Sequence, residues 1–117
     1  MIVLSDVERA VEAIRPHVRR TPVLALTGLK QPFGVKADIV AKLECLQVTG
    51  SFKARGAMNR LLATPKEKIG AGLVTASGGN HGIAVARTAY AAGVPATIFL
   101  PSTASPAKLK KIRTWSA

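Results

Sequence analysis

The chain has 117 residues, 17 of them Lys or Arg and only 6 Asp or Glu, for a formal net charge of +11. Hydrophobic residues make up 48%, which excludes a disordered polyelectrolyte, and the length accommodates one domain but not two. One cysteine, Cys45, excludes an internal disulfide framework and fits a reducing compartment. The charge leaves three explanations open: a nucleic-acid partner, a membrane-surface partner, or an acidic portion lying outside these residues.

Met1-Ile2-Val3-Leu4 runs directly into Asp6 and Glu8, unlike a secretory signal. The uncharged stretch 88–100 is too short to span a bilayer, so a soluble, cytoplasmic protein is expected. Ser5 and Glu8 stand at capping-box spacing, and Val7, Ala10, Val11 and Ile14 follow at helical spacing. Pro16 stops that helix near Arg15. Residues 19–36 read as an extended connection. Ile39, Ala41 and Leu43 alternate, as in a strand over 39–44. Ser51 is the expected N-cap of a helix whose apolar stripe is Ala54, Ala57, Met58, Leu61 and Leu62, ended by Pro65. Leu73 to Ala76 is the next strand. Ser77-Gly78-Gly79-Asn80-His81-Gly82 then opens a helix to about Ala92, apolar nearly all round and therefore expected to be buried, with Gly93 as its C′ residue. Ala96 to Leu100 is a strand, and Ser105-Pro106 starts a last helix through Arg113. A leading helix followed by three strand–helix units predicts an α/β fold: a parallel sheet with right-handed crossovers, its strands covered by helices. The expected division is 1–36, helix and connection, and 37–117, an incomplete α/β domain.

Two segments carry chemistry. Thr49-Gly50-Ser51-Phe52-Lys53-Ala54-Arg55-Gly56-Ala57 places Lys53 in the first turn of a helix. The positive end of the helix dipole and burial would both disfavour the ammonium form, making Lys53 a nucleophile towards a carbonyl. Spacing alone favours an exposed first-turn lysine instead. In Ser77–Gly82, glycines beside a helix N-terminus let N–H groups converge on a phosphate or carboxylate. The same pattern also serves a tight strand-to-helix turn. His17, His81 and Cys45 are far apart in sequence, so no metal site is expected, and Cys45 reads as a small buried hydrophobe.

Ser51-Phe52-Lys53-x-Arg55-Gly56-Ala57 followed by Ser77-Gly78-Gly79-Asn80-His81-Gly82 resembles the fold type II pyridoxal phosphate enzymes. The likeness is to the threonine/serine dehydratases (ammonia-lyases) and their relatives, the serine racemases and 3-hydroxyaspartate ammonia-lyases. Arg19-Arg20-Thr21-Pro22-Val23-Leu24, Lys42-Leu43-Glu44-x-Leu46-Gln47 and Pro101-x-x-Ala104-Ser105-Pro106-x-Lys108 extend it over nearly the whole chain. The resemblance implies that Lys53 bonds pyridoxal phosphate as a Schiff base and later acts as base at the substrate Cα. It implies that Phe52 packs on the cofactor ring and that Asn80 bonds its 3′-oxygen. Ser77, Gly78, Gly79 and His81 would hold the substrate carboxylate. Ser51 is then the helix cap. Arg55 and Gly56 have structural roles: a surface or interface contact for Arg55, a conformational requirement for Gly56.

The implied reaction is β-elimination from a small hydroxy amino acid to a 2-oxo acid and ammonia. Racemases of this group carry a serine where this chain has Gly78, so a dehydratase is favoured. The family's phosphate-binding loop and its group facing the pyridine nitrogen are absent from these 117 residues. The chain is therefore expected to be an N-terminal fragment, inactive alone and weak in cofactor binding. A homo-oligomer is expected of the full-length enzyme. Two readings from other classes stand beside this one. The basic clusters Arg15/Arg19/Arg20 and Lys108/Lys110/Lys111/Arg113 fit a nucleic-acid-binding module, though no aromatics interleave them. An incomplete sheet with an apolar face fits a non-catalytic interaction protein.

Overall fold

The structure is a computed structural model that describes residues 1–28, 30–31, 33–34 and 36–115; positions 29, 32 and 35 of the connection, and 116–117, lie outside the described residues. Helix α1 spans Leu4–Ile14 and passes into a 3-10 turn at Arg15–His17, where Pro16 ends it as expected. Its start is two residues earlier than the Ser5 cap predicts, with Val3 as the N-cap. The Asp6 carboxylate accepts the Val3 N–H at 2.9 Å and takes over the capping role.

The connection is not wholly irregular. Val23–Ala25 forms strand β1, which pairs antiparallel with β2, Val40–Lys42, in the register Val23↔Lys42, Leu24↔Ala41, Ala25↔Val40. Flanking bonds from Leu26 N–H to the Ile39 carbonyl and from Leu43 N–H to the Pro22 carbonyl, both 2.9 Å, extend the ladder. The third strand of the expected parallel sheet is therefore engaged elsewhere. A 3-10 turn at Glu44–Leu46 leads to α2, Lys53–Leu62, then the short α3, Lys66–Ile69. Strand β3, Leu73–Ala76, helix α4, Asn80–Ala92, and strand β4, Ala96–Phe99, make one parallel crossover unit, with Leu73↔Ala96 through Ala76↔Phe99 in register. Helix α5, Pro106–Arg113, has Ser105 as N-cap and proline in its first turn, as its sequence predicts.

Helix α4 is the centre of the packing, touching α2, α5, β3 and β4. Its small buried residues, Gly82, Ala84, Ala86 and Ala89, allow those neighbours to approach. On one side Ile14, Met58 and Leu61 pack with Val18, Ile69, Leu73 and Ala92. On the other, Ile83, Ala86 and Ile112 pack with Ile98, Leu100 and Trp115. The burial of α4 is not complete, because Tyr90 and Ala91 face outward. Nor are the strands covered on both faces: Leu73, Thr75, Ala96 and Ile98 point inward, whereas Val74, Ala76, Thr97 and Phe99 are exposed. Cys45 is also exposed, since it sits in the 3-10 turn rather than in the core.

Gly82 marks the tightest point. A Cβ there would lie 2.4 Å from the Ser77 carbonyl oxygen and 3.1 Å from Ile98 Cγ2. The glycine lets α4 start directly over the end of β3. Gly56 is the opposite case: it lies within α2, and a Cβ would meet nothing within 4 Å. No conformational requirement holds it. Urea unfolding should therefore show Gly82→Ala destabilised by about 1–3 kcal/mol through overpacking. Gly56→Ala should be stabilised by about 0.5–1 kcal/mol through helix propensity.

Candidate functional site

Helices α2 and α4 lie side by side, and a groove of about 460 Å³ runs between them over β3. Lys53, Gly56 and Arg60 line one wall, His81, Val85 and Thr88 the other. Lys53 and His81 both stand in the first turn of their helices, so both N-termini open at the same end of the groove. That end lies beyond the carboxyl end of β3, where parallel α/β units bind their ligands. A larger hollow of about 830 Å³ along α1 is lined by Ser5, Glu8, Arg9 and Glu12 and holds none of the candidate site residues.

Lys53 is exposed, so the described residues do not supply the burial considered from sequence. Its Nζ stands 4.9 Å from the centroid of the Phe52 ring, a cation–π contact. Phe52 is 59% exposed. It, not Ser51, is the N-cap, with helical φ and ψ of −62° and −16°. Ser51 is thus one residue too early to cap. Its hydroxyl and that of Thr49 are buried without a partner among the described residues.

The Ser77–Gly82 turn is held at its base by the Ser77 N–H, which donates to the Phe99 carbonyl at 3.0 Å. The Ser77 hydroxyl accepts the Gly79 N–H at 3.3 Å. The N–H groups of Asn80, His81 and Gly82 belong to the first turn of α4 and have no carbonyl within the helix to bond. Ser77, Gly78 and Gly79 are half-buried, while Asn80 and His81 are exposed. The structure thus gathers Lys53 and His81 on one groove, with Ser77–Gly79 in the turn before α4 and Asn80 at the start of the helix. Arg60, Thr64 and Thr88 also line the groove, and sequence reasoning missed them. Thr88 was hidden in an apolar helix, and its buried hydroxyl has no partner among the described residues.

Arg55 is not a surface contact. Its Nε and Nη2 donate to the two carboxylate oxygens of Glu44 at 2.8 and 2.7 Å, and its side chain is 29% exposed. Nη2 also reaches the Arg19 carbonyl at 3.2 Å and Thr21 Oγ1 at 3.3 Å. The Thr21 hydroxyl donates to Glu44 at 2.5 Å. The hydrogen bonds from Arg55 pull the Glu44 carboxyl down to about 2 against the opposing push of burial, with Thr21 and the charges of Arg55 and Lys42 adding to the pull. Glu44 in turn raises Arg55. Because the folded value is the lower one, the pair's stabilisation is complete above the ordinary carboxylate value of 4.5 and fades as pH falls toward about 2. Unfolding midpoints measured between pH 5 and 2 should fall less steeply in Glu44→Gln than in the unaltered chain.

Comparison with known proteins matches this geometry to one group. The family model for "Pyridoxal-phosphate dependent enzyme" matches residues 14–117. The L-threonine dehydratase catabolic TdcB of Staphylococcus aureus (strain USA300) is 40% identical over 117 residues, which are 100% of this chain and 34% of that protein. Maize serine racemase superposes with a TM-score of 0.88 at 36% identity, covering 97% of this chain and 34% of the other. A threonine deaminase from T.th. gives 0.83 at 37%, covering 99% and 35%. The chain thus spans about a third of the length of these relatives. The donor set fits one end of the cofactor. Lys53 offers a primary amine for a carbonyl carbon, Phe52 an exposed ring, and the first turn of α4 N–H groups unbonded among the described residues, for oxygens. Groove, amine and helix N-terminus agree with the match in sequence and in fold: the chain belongs to the family of pyridoxal-phosphate-dependent enzymes.

Proposed function

We propose that these residues form the lysine-bearing part of a dehydratase that converts threonine, serine or a related 3-hydroxy amino acid to a 2-oxo acid and ammonia. The observation that carries this reading is the shared groove of Lys53 and His81 at the N-termini of α2 and α4. When bound, pyridoxal phosphate supplies a sink for the electrons left at the substrate Cα. Lys53 holds the cofactor's carbonyl carbon and, once its amine is free, takes the Cα proton on Nζ. Phe52 packs against the cofactor ring, and the Asn80 amide bonds the 3′-oxygen. The Ser77 hydroxyl and the N–H groups of Gly78, Gly79 and His81 hold the substrate carboxylate. The substrate named for the staphylococcal relative, threonine, supports this choice. The relatives are about three times as long, so turnover is proposed for a protein that carries their remaining segments.

A racemase is the second reading, since maize serine racemase shares the fold. Gly78 speaks for elimination. A Cβ at this position would lie 3.1 Å from Pro101 Cδ and 3.3 Å from Cγ, so a serine here would require the proline ring to give way by a few tenths of an ångström. Two measurements test the proposal. Pyridoxal phosphate followed by borohydride reduction should place its label on Lys53 ahead of the other lysines, and Lys53→Ala should lose that label. Labels spread evenly over Lys66, Lys108 and Lys110 would contradict it. With L-serine, the longer protein should release a 2-oxo acid, whereas D-serine as the main product would establish the racemase reading.

A further inference from the structure

We infer that Glu44 is a positioning residue for Lys53: gripping Arg55, it fixes the uncapped first turn of α2 and so the direction in which the lysine leaves the helix. This rests on the reading of Lys53 as the cofactor-bearing lysine. The start of α2 has no side-chain cap and no acidic residue in its first turn. It instead places two cations, Lys53 and Arg55, at the positive end of the helix dipole. The nearby hydroxyls of Thr49 and Ser51 do not help, being buried without partners among the described residues. A helix end of this kind frays unless something outside the helix holds it.

Glu44 does so from the side. Its two oxygens take two N–H groups of the Arg55 fork at 2.8 and 2.7 Å, a bidentate pair that resists swivelling. Glu44 is itself braced by the Thr21 hydroxyl at 2.5 Å. Thr21 is 4% exposed, and its carbonyl accepts Lys42 Nζ at 3.0 Å. Gln47, 3% exposed, completes the brace. It accepts the N–H groups of Arg19 at 2.8 Å and Val48 at 2.9 Å, and donates to the Arg19 carbonyl at 2.9 Å. The segment 19–21 and the segment 42–48 thus form one hydrogen-bonded plate. Arg55 follows Lys53 by two residues, about 200° around the helix axis. The plate therefore grips the side of the first turn roughly opposite Lys53, leaving the lysine directed to the groove it shares with His81.

The experiment compares the full chain with Glu44→Gln and with the milder Thr21→Val. Each is treated with pyridoxal phosphate and borohydride, and the label on Lys53 is divided by that on Lys66, an exposed lysine of α3 in the same sample. Amide hydrogen exchange over residues 53–56 is measured in parallel. Glu44→Gln should lower the ratio about tenfold and speed the exchange; Thr21→Val should lower the ratio two- to threefold. Ile112→Ala, which loosens the other core cluster, should leave the ratio unchanged. An unchanged ratio in Glu44→Gln, or an equal drop in Ile112→Ala, overturns the inference while Lys53 keeps its preference in the unaltered chain. No preference for Lys53 in the unaltered chain instead overturns the functional reading, and the inference with it.

Discussion

Contact between α2 and α4 is the constraint on which the site depends. Neither helix carries a complete set of groups: α2 brings an amine, α4 brings unbonded N–H groups and an amide. They meet on one groove only because the two helices lie side by side and begin at the same end of β3. That arrangement needs small residues. Ala54 on α2 and Ala84, Ala86 and Ala89 on α4 are almost fully buried, and Gly82 lets α4 start where any Cβ would strike the Ser77 carbonyl. Larger side chains here would separate the helices, and with them the two halves of the site.

The second dependence is polar. The N-terminal segment touches the α/β unit through α1 packing on α2 and through the plate of Thr21, Glu44, Gln47 and Arg55. Thr21 and Gln47 are buried and Glu44 and Arg55 half-buried, and the bonds that tie Arg55 to the rest join residues 11 to 36 positions apart. A buried polar network is stabilising only when its members are satisfied. Here the Glu44 oxygens and the Gln47 amide are each matched. The guanidinium of Arg87 contrasts with this arrangement: burial lowers its proton affinity, and its Nη1 has no partner among the described residues.

Much of this was legible in the sequence, and the rest failed for identifiable reasons. The positions of Lys53 and Ser77–Gly82 at helix starts were legible because the signal is local, lying within six residues. Strands β3 and β4 and helix α5 were found for the same reason, bounded by glycine, proline and serine. Strand β1 was missed because three residues show no periodicity, and its antiparallel pairing with β2 is a long-range fact. The cap at Ser51 failed because the helix begins two residues later, at Lys53. Arg55 was misread because its partner, Glu44, lies in a 3-10 turn eleven residues earlier. Gly56 was given a conformational requirement that its place within α2 and its open surroundings do not impose.

The central claim is that Lys53 and the turn from Ser77 to Gly82 act on one ligand. The most direct measurement is amide hydrogen exchange on the chain after pyridoxal phosphate has been fixed to Lys53 by borohydride. If the two segments form one site, exchange at residues 77–82 slows on labelling while that of α5 stays the same. A chain labelled at Lys53 whose exchange at 77–82 is unchanged would contradict the account.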